Sequence, residues 1–266
     1  MRCAVLGDPI AHSLSPALHR AGYAAVGLDW SYDAVQVASG GLADFVTGLD
    51  GDWRGLSVTA PLKREALARA DVVSERARLV GSANTLLLAG GEVHADNTDL
   101  PGAVAAVRER YDGVIRTATI LGGGATAAST GLAMVELGAT WLRIAVRDAD
   151  RAREAAERVA AHPTAPQVEI VSLADVDDDT DAIVSTIPVA AQVDRLVAAC
   201  AGVALLFDVI YDPWPTPLSA VGGVVVSGLD LLVHQAALQF TAFTGVAAPL
   251  DAMRAAGKAA LQERSS

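Results

Sequence analysis

The chain has 266 residues, 52% hydrophobic and 19% charged, with a formal net charge of −11 at pH 7. That balance suits an α/β protein with a core large enough for one or two domains, and it excludes a disordered chain. The acidic surplus argues against a nucleic-acid or anionic-membrane surface, since both are usually met by basic patches.

Residues 2–6 form a short apolar run that stops at Gly7-Asp-Pro9, which predicts a strand and a turn. Ser13-Leu-Ser-Pro16 then predicts a helix start, with Ser15 as N-cap and Pro16 at the first helical position. Strands are expected at 32–37 and 56–59, and helices at 42–49 and 63–70. A hairpin is expected from 83–88 and 92–95 around Gly90-Gly91. A helix over 100–111 leads to the glycine turn at the middle of the chain. Beyond it the pattern predicts a helix to Leu137, a strand at 141–146, a helix at 150–162, and strands at 168–173, 182–187 and 204–209. The last two elements are helices over 229–244 and 250–263. The aspartate-rich stretch 175–181 has Thr180 and Thr186 where a calcium loop opening at Asp175 would need glycine and glutamate, so it reads as a solvated turn. Cys3 and Cys200 are far apart in apolar contexts and read as buried thiols in a reducing compartment. No signal-peptide core and no apolar run of about 18 residues is present, so the expectation is a cytoplasmic protein with no membrane partner.

The central turn is Gly122-Gly-Gly-Ala-Thr126, between a short strand and a small-residue helix. Gly122, Gly124 and Ala127 match the G-x-G-x-x-A dinucleotide fingerprint. There the first glycine makes the tight turn, the second lets the backbone approach a pyrophosphate, and the helix N-terminus faces the negative charge. A plain βα turn would look the same in isolation. The alternating strands and helices that follow supply the βαβ setting the fingerprint requires. No H-E-x-x-H, C-x-x-C, P-loop or G-x-S-x-G motif occurs, which disfavours metal, redox-dithiol, NTPase and triad chemistry. The polar groups that remain cluster in the first hundred residues: Ser13 and Ser15, Thr59 and Lys63, Asn84 and Thr85, and Asp96-Asn-Thr-Asp99. Each follows a predicted strand, where open α/β sheets place ligands. Together they read as the lining of a site for a small polyhydroxylated molecule.

These motifs, in this order, resemble the shikimate dehydrogenase family over nearly the whole chain. Gly7-Asp-Pro-Ile-Ala-His-Ser-Leu-Ser-Pro16 is similar to the family's opening signature. Gly55-Leu-Ser-Val-Thr-Ala-Pro-Leu-Lys63 is similar to its second motif, with Ser57 where asparagine is usual. Gly81-Ser-Ala-Asn-Thr85, Asp96-Asn-Thr-Asp99, Ser185-Thr-Ile-Pro188, Asp208-Val-Ile-Tyr-Asp-Pro213 and Gly228-Leu-Asp-Leu-Leu-Val-His-Gln235 follow in register, with Leu231 where methionine is common.

The resemblance implies an α/β protein of two domains. A substrate domain comprises 1–101 with the returning C-terminal helices 229–266, and a Rossmann-like parallel-sheet domain spans 102–228. It implies reversible reduction of 3-dehydroshikimate to shikimate with NADPH, in chorismate and aromatic amino-acid biosynthesis. Lys63 becomes the catalytic acid–base group, with Asp99 in the same proton relay. A free lysine titrates near ~10.4 and a neighbouring carboxylate keeps it protonated, which suits donation to a forming alkoxide. Ser13 and Ser15, with Tyr211, are implied to hold the substrate carboxylate, and Thr59, Asn84, Asp99 and Gln235 the ring hydroxyls. Gly122, Gly123, Gly124, Ala125 and Thr126 are implied to carry the pyrophosphate, with Thr186, Ile187, Val209 and Gly228 near the nicotinamide. After the strand 141–146, Arg147 and Arg151 suit a 2′-phosphate, whereas Val146 and Asp148 depart from the family pattern and leave NAD as an alternative cofactor. The rival readings are a quinate dehydrogenase using NAD and a non-catalytic sensor of shikimate-pathway acids. The oligomeric state is left between monomer and homodimer.

Overall fold

The apolar run at the N-terminus becomes β1 (Arg2–Gly7), and all but its first residue are buried. Such a continuous apolar strand belongs at the centre of a sheet covered on both faces. The computed structural model describes residues 1–177 and 179–264, so that Asp178 of the aspartate-rich stretch and Ser265 and Ser266 lie outside the described residues. In chain order β1 is followed by α1 (Ser15–Ala25), β2 (Ser31–Gln36), α2 (Leu42–Thr47), β3 (Trp53–Val58) and α3 (Lys63–Arg69). Next come β4 (Val72–Val73), α4 (Glu75–Val80), β5 (Thr85–Ala89) and β6 (Glu92–Asp96). The sheet they form is mixed, in the order β2-β1-β3-β5-β6-β4. The three leading strands are parallel, and β5 runs antiparallel to both β3 and β6. The hairpin turn is Gly90-Gly91 with φ of 62° and 84°, the left-handed pair that a two-residue turn of this hand demands.

Alternation along β3 divides the two faces of this sheet. Leu56 and Val58 join Ala4, Leu6, Leu62, Ala66 and Leu86 in one core. Each fully buried leucine there contributes about 1.5–3 kcal/mol. Gly55 and Ser57 face the other way, and a Cβ at Gly55 would strike the Phe243 ring.

The second sheet carries the predicted βαβ series. After α5 (Asp99–Arg110) come β7 (Thr117–Leu121), α6 (Ala125–Glu136), β8 (Trp141–Val146), α7 (Arg153–Ala160), β9 (Gln167–Ser172), β10 (Ala182–Ser185), α8 (Asp194–Ala199), β11 (Leu205–Asp208) and β12 (Val224–Ser227). All six strands are parallel, in the order β12-β11-β10-β7-β8-β9. The strand order reverses between β7 and β10, the switch point outside which such sheets bind ligands. The chain then enters α9 (Gly228–Thr244) and ends with α10 (Leu250–Arg264). Two units result, Met1–Thr98 with Leu232–Ser266 and Asp99–Leu231. Within the first, α10 packs along α1, and Gly22 lets the Phe240 ring and Met253 approach the α1 backbone. No helix among the described residues is long and apolar enough to cross a membrane.

Local readings need correction at a few points. Ser15 does not cap α1: Leu14 holds the cap position without a side-chain hydrogen bond, and Ser15 is the first helical residue, buried. The helix expected over 150–162 is a 3₁₀ turn, Ala149–Arg151, followed by the shorter α7. Asp148 produces this break by accepting the Asp150 N–H at 3.1 Å. The short elements β4, α4, α8 and β12 carry too few residues to show a period and were not expected.

Candidate active site

The first unit builds its polar floor around Asn84, which the sheet leaves 2% exposed just before β5. Its Oδ1 accepts the Thr98 N–H at 2.8 Å and the Thr85 hydroxyl at 2.8 Å. Its Nδ2 donates to Thr98 Oγ1 at 3.0 Å and to Gln235 Oε1 at 3.3 Å. Gln235, on α9, is likewise buried, and its Nε2 donates to the Leu232 carbonyl. Two residues 151 positions apart are thus hydrogen-bonded to each other. Ser13 lies in the loop before α1, where its Oγ accepts the Ser15 N–H at 3.3 Å. Ser15 reaches the Tyr32 phenol with its side chain.

Thr59 follows β3 and is anchored by its N–H to Leu6 and its carbonyl to the Leu62 N–H. Lys63 opens α3, half-buried, and its carbonyl accepts the Ala83 N–H at 2.9 Å, next to Asn84. A cation in the first turn of a helix opposes the helix dipole, so this lysine is not placed there for stability. The loop that leads out of β6 is fixed by Asp96, which accepts Ser74 Oγ at 2.6 Å, the Asn97 N–H at 2.8 Å and the Arg76 guanidinium. Burial works against that carboxylate, but the Arg76, Ser74 and Asn97 hydrogen bonds hold it below the ordinary range.

Thr85 and Thr98, from the expected polar clusters, complete this floor together with Gln239, Ser57 and Tyr32, which the sequence reading left outside them. Gln239, Ser57, Thr85, Thr98 and Tyr32 are all buried and bonded to one another or to Asn84. The available signals were a glutamine one turn beyond Gln235 and a serine inside an apolar strand.

In the second unit, the turn after β7 has the expected shape. Gly122 adopts φ +111°, and a Cβ there would collide with Thr186 Oγ1. A Cβ on Gly123 would lie 2.6 Å from the Arg151 carbonyl and 2.9 Å from the Ala152 nitrogen. Gly124 faces open space as the N-cap of α6, which has no side-chain cap and no acidic residue in its first turn. Ala127 is fully buried behind it, and Ala125 and Thr126 are half-buried. Thr186 donates its hydroxyl to the Leu121 carbonyl at 2.8 Å, and Ile187 is buried in the core under the turn.

At the end of β8 the exposed Arg147 lines a cleft of about 410 Å³ with Ser172, Leu173, Ala190, Arg195 and Leu196. Arg151 is exposed one turn further on. The carboxylate of Asp148 is engaged by the Asp150 N–H in its own turn.

Past β11, Val209, Ile210 and Tyr211 form a loop ordered by the buried Asp208, which accepts Thr216 Oγ1 at 2.7 Å, Gln192 Nε2 at 2.8 Å and the Ile210 N–H at 3.2 Å. Burial raises the Asp208 carboxyl above its usual range despite these bonds. Gly228 is required because a Cβ would strike the Val209 carbonyl. Asp99, buried at the start of α5, and Tyr211 belong to this second unit, and Ser13, Ser15, Thr59, Lys63, Asn84 and Gln235 to the first.

Residues 5–86 match the shikimate dehydrogenase substrate binding domain, and residues 228–256 match the shikimate 5′-dehydrogenase C-terminal domain. A shikimate dehydrogenase (NADP(+)) of Synechococcus sp. (strain JA-3-3Ab) is 34% identical, over 97% of this chain and 94% of its own. The crystal structure of Mycobacterium tuberculosis shikimate dehydrogenase superposes with a TM-score of 0.88 at 40% identity, covering 97% of this chain and 98% of that one. Shikimate 5-dehydrogenase from Thermus thermophilus, solved in complex with NADP(H) and shikimate, gives a TM-score of 0.84 at 29% identity, over 98% of this chain and 100% of that one. At 34% identity over nearly the full length, with both domain matches and the shared architecture, this chain belongs to the shikimate dehydrogenase family.

Proposed function

We propose that this protein reversibly reduces 3-dehydroshikimate to shikimate with NADPH, within the two domains 1–101 plus 229–266 and 102–228. The observation that carries this reading is the buried Asn84–Gln235 pair, set in the same unit as Ser13, Ser15, Thr59 and Lys63. Hydroxyl, amide and amine groups carried by one unit suit a small polyhydroxylated acid.

The second unit fits a dinucleotide: the Gly122 turn is left-handed, Gly124 leaves room for a phosphate, and the uncapped α6 turns its first N–H groups toward it. Gly122 to Thr126 would hold the pyrophosphate, Arg147 and Arg151 the 2′-phosphate, and Thr186, Ile187, Val209 and Gly228 the nicotinamide end. When bound, NADPH supplies the hydride. As the substrate carbonyl carbon gains that hydride, its oxygen becomes an alkoxide, and the Lys63 ammonium donates the proton that makes it a hydroxyl. Asp99 serves as the second titratable group of the same proton transfer. Ser13 and Ser15 donate to the substrate carboxylate, with Tyr211, while Thr59, Asn84, Asp99 and Gln235 bind the ring hydroxyls and fix which carbon is presented.

The deciding experiment follows cofactor reduction spectrophotometrically with shikimate and NADP, then with quinate and with NAD. Shikimate with NADP is expected to give the highest kcat/KM. Quinate with NAD giving the higher value would assign the rival dehydrogenase, and tight shikimate binding without turnover would assign a sensor.

Arg147→Ala and Arg151→Ala are each expected to raise the KM for NADP about tenfold or more, the worth of one hydrogen bond to a charged group, and to spare the KM for shikimate. An unchanged NADP constant would mean that the guanidinium only covers surface.

A further inference from the structure

Beneath the substrate groups runs a chain of side-chain hydrogen bonds from β2 to α9. The Tyr32 phenol donates to Ser57 Oγ, and Ser57 donates to Gln239 Oε1 at 2.7 Å. Gln239 Nε2 donates to Thr85 Oγ1 at 3.0 Å and to the main-chain carbonyl of Asn84 at 2.9 Å. Thr85 then donates to Asn84 Oδ1, and Asn84 Nδ2 to Gln235 Oε1.

Two backbone groups make this chain one-directional. The Asn84 carbonyl can only accept, so it fixes which end of the Gln239 amide is the NH₂. The Thr98 N–H can only donate, so it fixes which end of the Asn84 amide is the oxygen. Between these anchors the Ser57 hydroxyl has one permitted orientation. Ser57 must give its proton to Gln239 and therefore accepts from Tyr32. Thr85 accepts from the Gln239 NH₂ and gives its proton to Asn84 Oδ1 at 2.8 Å, with Thr98 Oγ1 a longer neighbour at 3.4 Å. All these members are at most 7% exposed, where a reversed or missing link would strand a buried polar group.

We propose that Gln239 is a positioning residue for the reaction: through Thr85 and the Asn84 main chain it sets the place and the donor–acceptor sense of the Asn84 and Gln235 amides that meet the substrate. This rests on the substrate reading given above. No direct contact of Gln239 with substrate is required, because its two amide ends are already taken by Ser57 and by Asn84 with Thr85. A carboxylate in its place could not donate to the Asn84 carbonyl, and a leucine would leave the Ser57 proton without its acceptor and that carbonyl with the Val58 N–H alone. Thr85→Val cuts the same chain one link nearer to Asn84 with almost no change of shape.

The test measures shikimate and NADP kinetics per folded protein in Gln239→Leu, Thr85→Val, Thr85→Ser and the Gln239→Leu/Thr85→Val double variant. In parallel, NMR follows hydrogen exchange of the Asn84 side-chain amide. Gln239→Leu and Thr85→Val are each expected to raise the shikimate KM by about tenfold or more, the worth of one lost hydrogen bond, with the NADP KM unchanged. The double variant should cost little beyond the worse single one, because both remove links of one chain. Thr85→Ser should restore the wild-type KM. Asn84 amide exchange should quicken in Gln239→Leu and Thr85→Val and not in Thr85→Ser. Unaltered Asn84 exchange in the leucine and valine variants overturns the proposal whatever the kinetics, as does an unaltered shikimate KM. If Gln239→Leu does not fold, Thr85→Val decides by the same two readings. Failure of the wild-type protein to oxidise shikimate would strike the substrate reading instead, and the exchange measurement still decides whether Gln239 orders Asn84.

Discussion

Lys63→Ala is expected to lower kcat for shikimate oxidation by about three orders of magnitude, within the range a general acid–base group contributes, while shikimate still binds. The core contact of α3 does not depend on the lysine. Lys63 is the first residue of α3, whose core contact comes from Leu62 and Ala66 on either side of it and not from the lysine. Its main-chain carbonyl, which holds the Ala83 N–H next to Asn84, is retained in the variant. Alanine is the best helix former, and removing a cation from a helix N-terminus relieves an unfavourable dipole interaction. The core packing of α3 is therefore retained in the variant. Calorimetric titration with shikimate and a thermal melt on the same sample separate binding and stability from chemistry. Turnover equal to wild type would remove Lys63 from the proton transfer, and loss of binding with kcat preserved would make it a binding group.

Much of this was legible in the chain because the physical causes are local. The turn at Gly122 shows in sequence since only glycine takes φ +111° against Thr186, and β10 and β11 show since each is a short apolar run closed by a polar residue. The first-unit site residues stand out as hydroxyl, amide and amine groups at strand ends. What stayed hidden depends on tertiary contacts. Ser15 has the composition of a helix cap, yet its buried side chain is turned to Tyr32. Gln239 reads as one polar residue on an apolar helix, and only the packing of α9 over the sheet face bearing Ser57 makes it a link to Asn84. The break before α7 follows from one side-chain hydrogen bond by Asp148, which helical periodicity cannot foresee. β12, four residues beside a Gly222-Gly223 pair, becomes a strand because β11 is there to pair with it.

Acid should destabilise the protein through His19 well before the carboxylates act. This residue of α1 is fully buried, stacked on Tyr32 with ring centroids 4.1 Å apart and an 8° interplanar angle, with Phe240 and Phe243 at 6.3 and 6.0 Å. Burial lowers its pKa to about 3, and the Gln239 side chain opposes that only in part. An imidazole in the unfolded chain titrates near ~6.5, so between that pH and about 3 the unfolded state binds a proton that the folded state does not. The contribution of neutral His19 is therefore complete above ~6.5 and is lost as pH falls, at about 1.4 kcal/mol per pH unit. Asp96 and Asp230, whose hydrogen bonds hold them below the ordinary carboxylate range, lose their contributions only at lower pH. Asp208, raised by burial, acts in the opposite sense, gaining relative stability as pH falls through its folded value. His19→Phe keeps the stacked ring and removes the titration, leaving those carboxyls in place. Denaturant unfolding at pH values of about 7.5, 6.5, 5.5 and 4.5, spanning this window, should give a wild-type stability that falls below ~6.5 and a variant profile that is flatter by about 1.4 kcal/mol per unit. Parallel profiles in the two proteins would show that His19 is protonated in the folded state, and the aromatic box around it would then have to open to admit the charge.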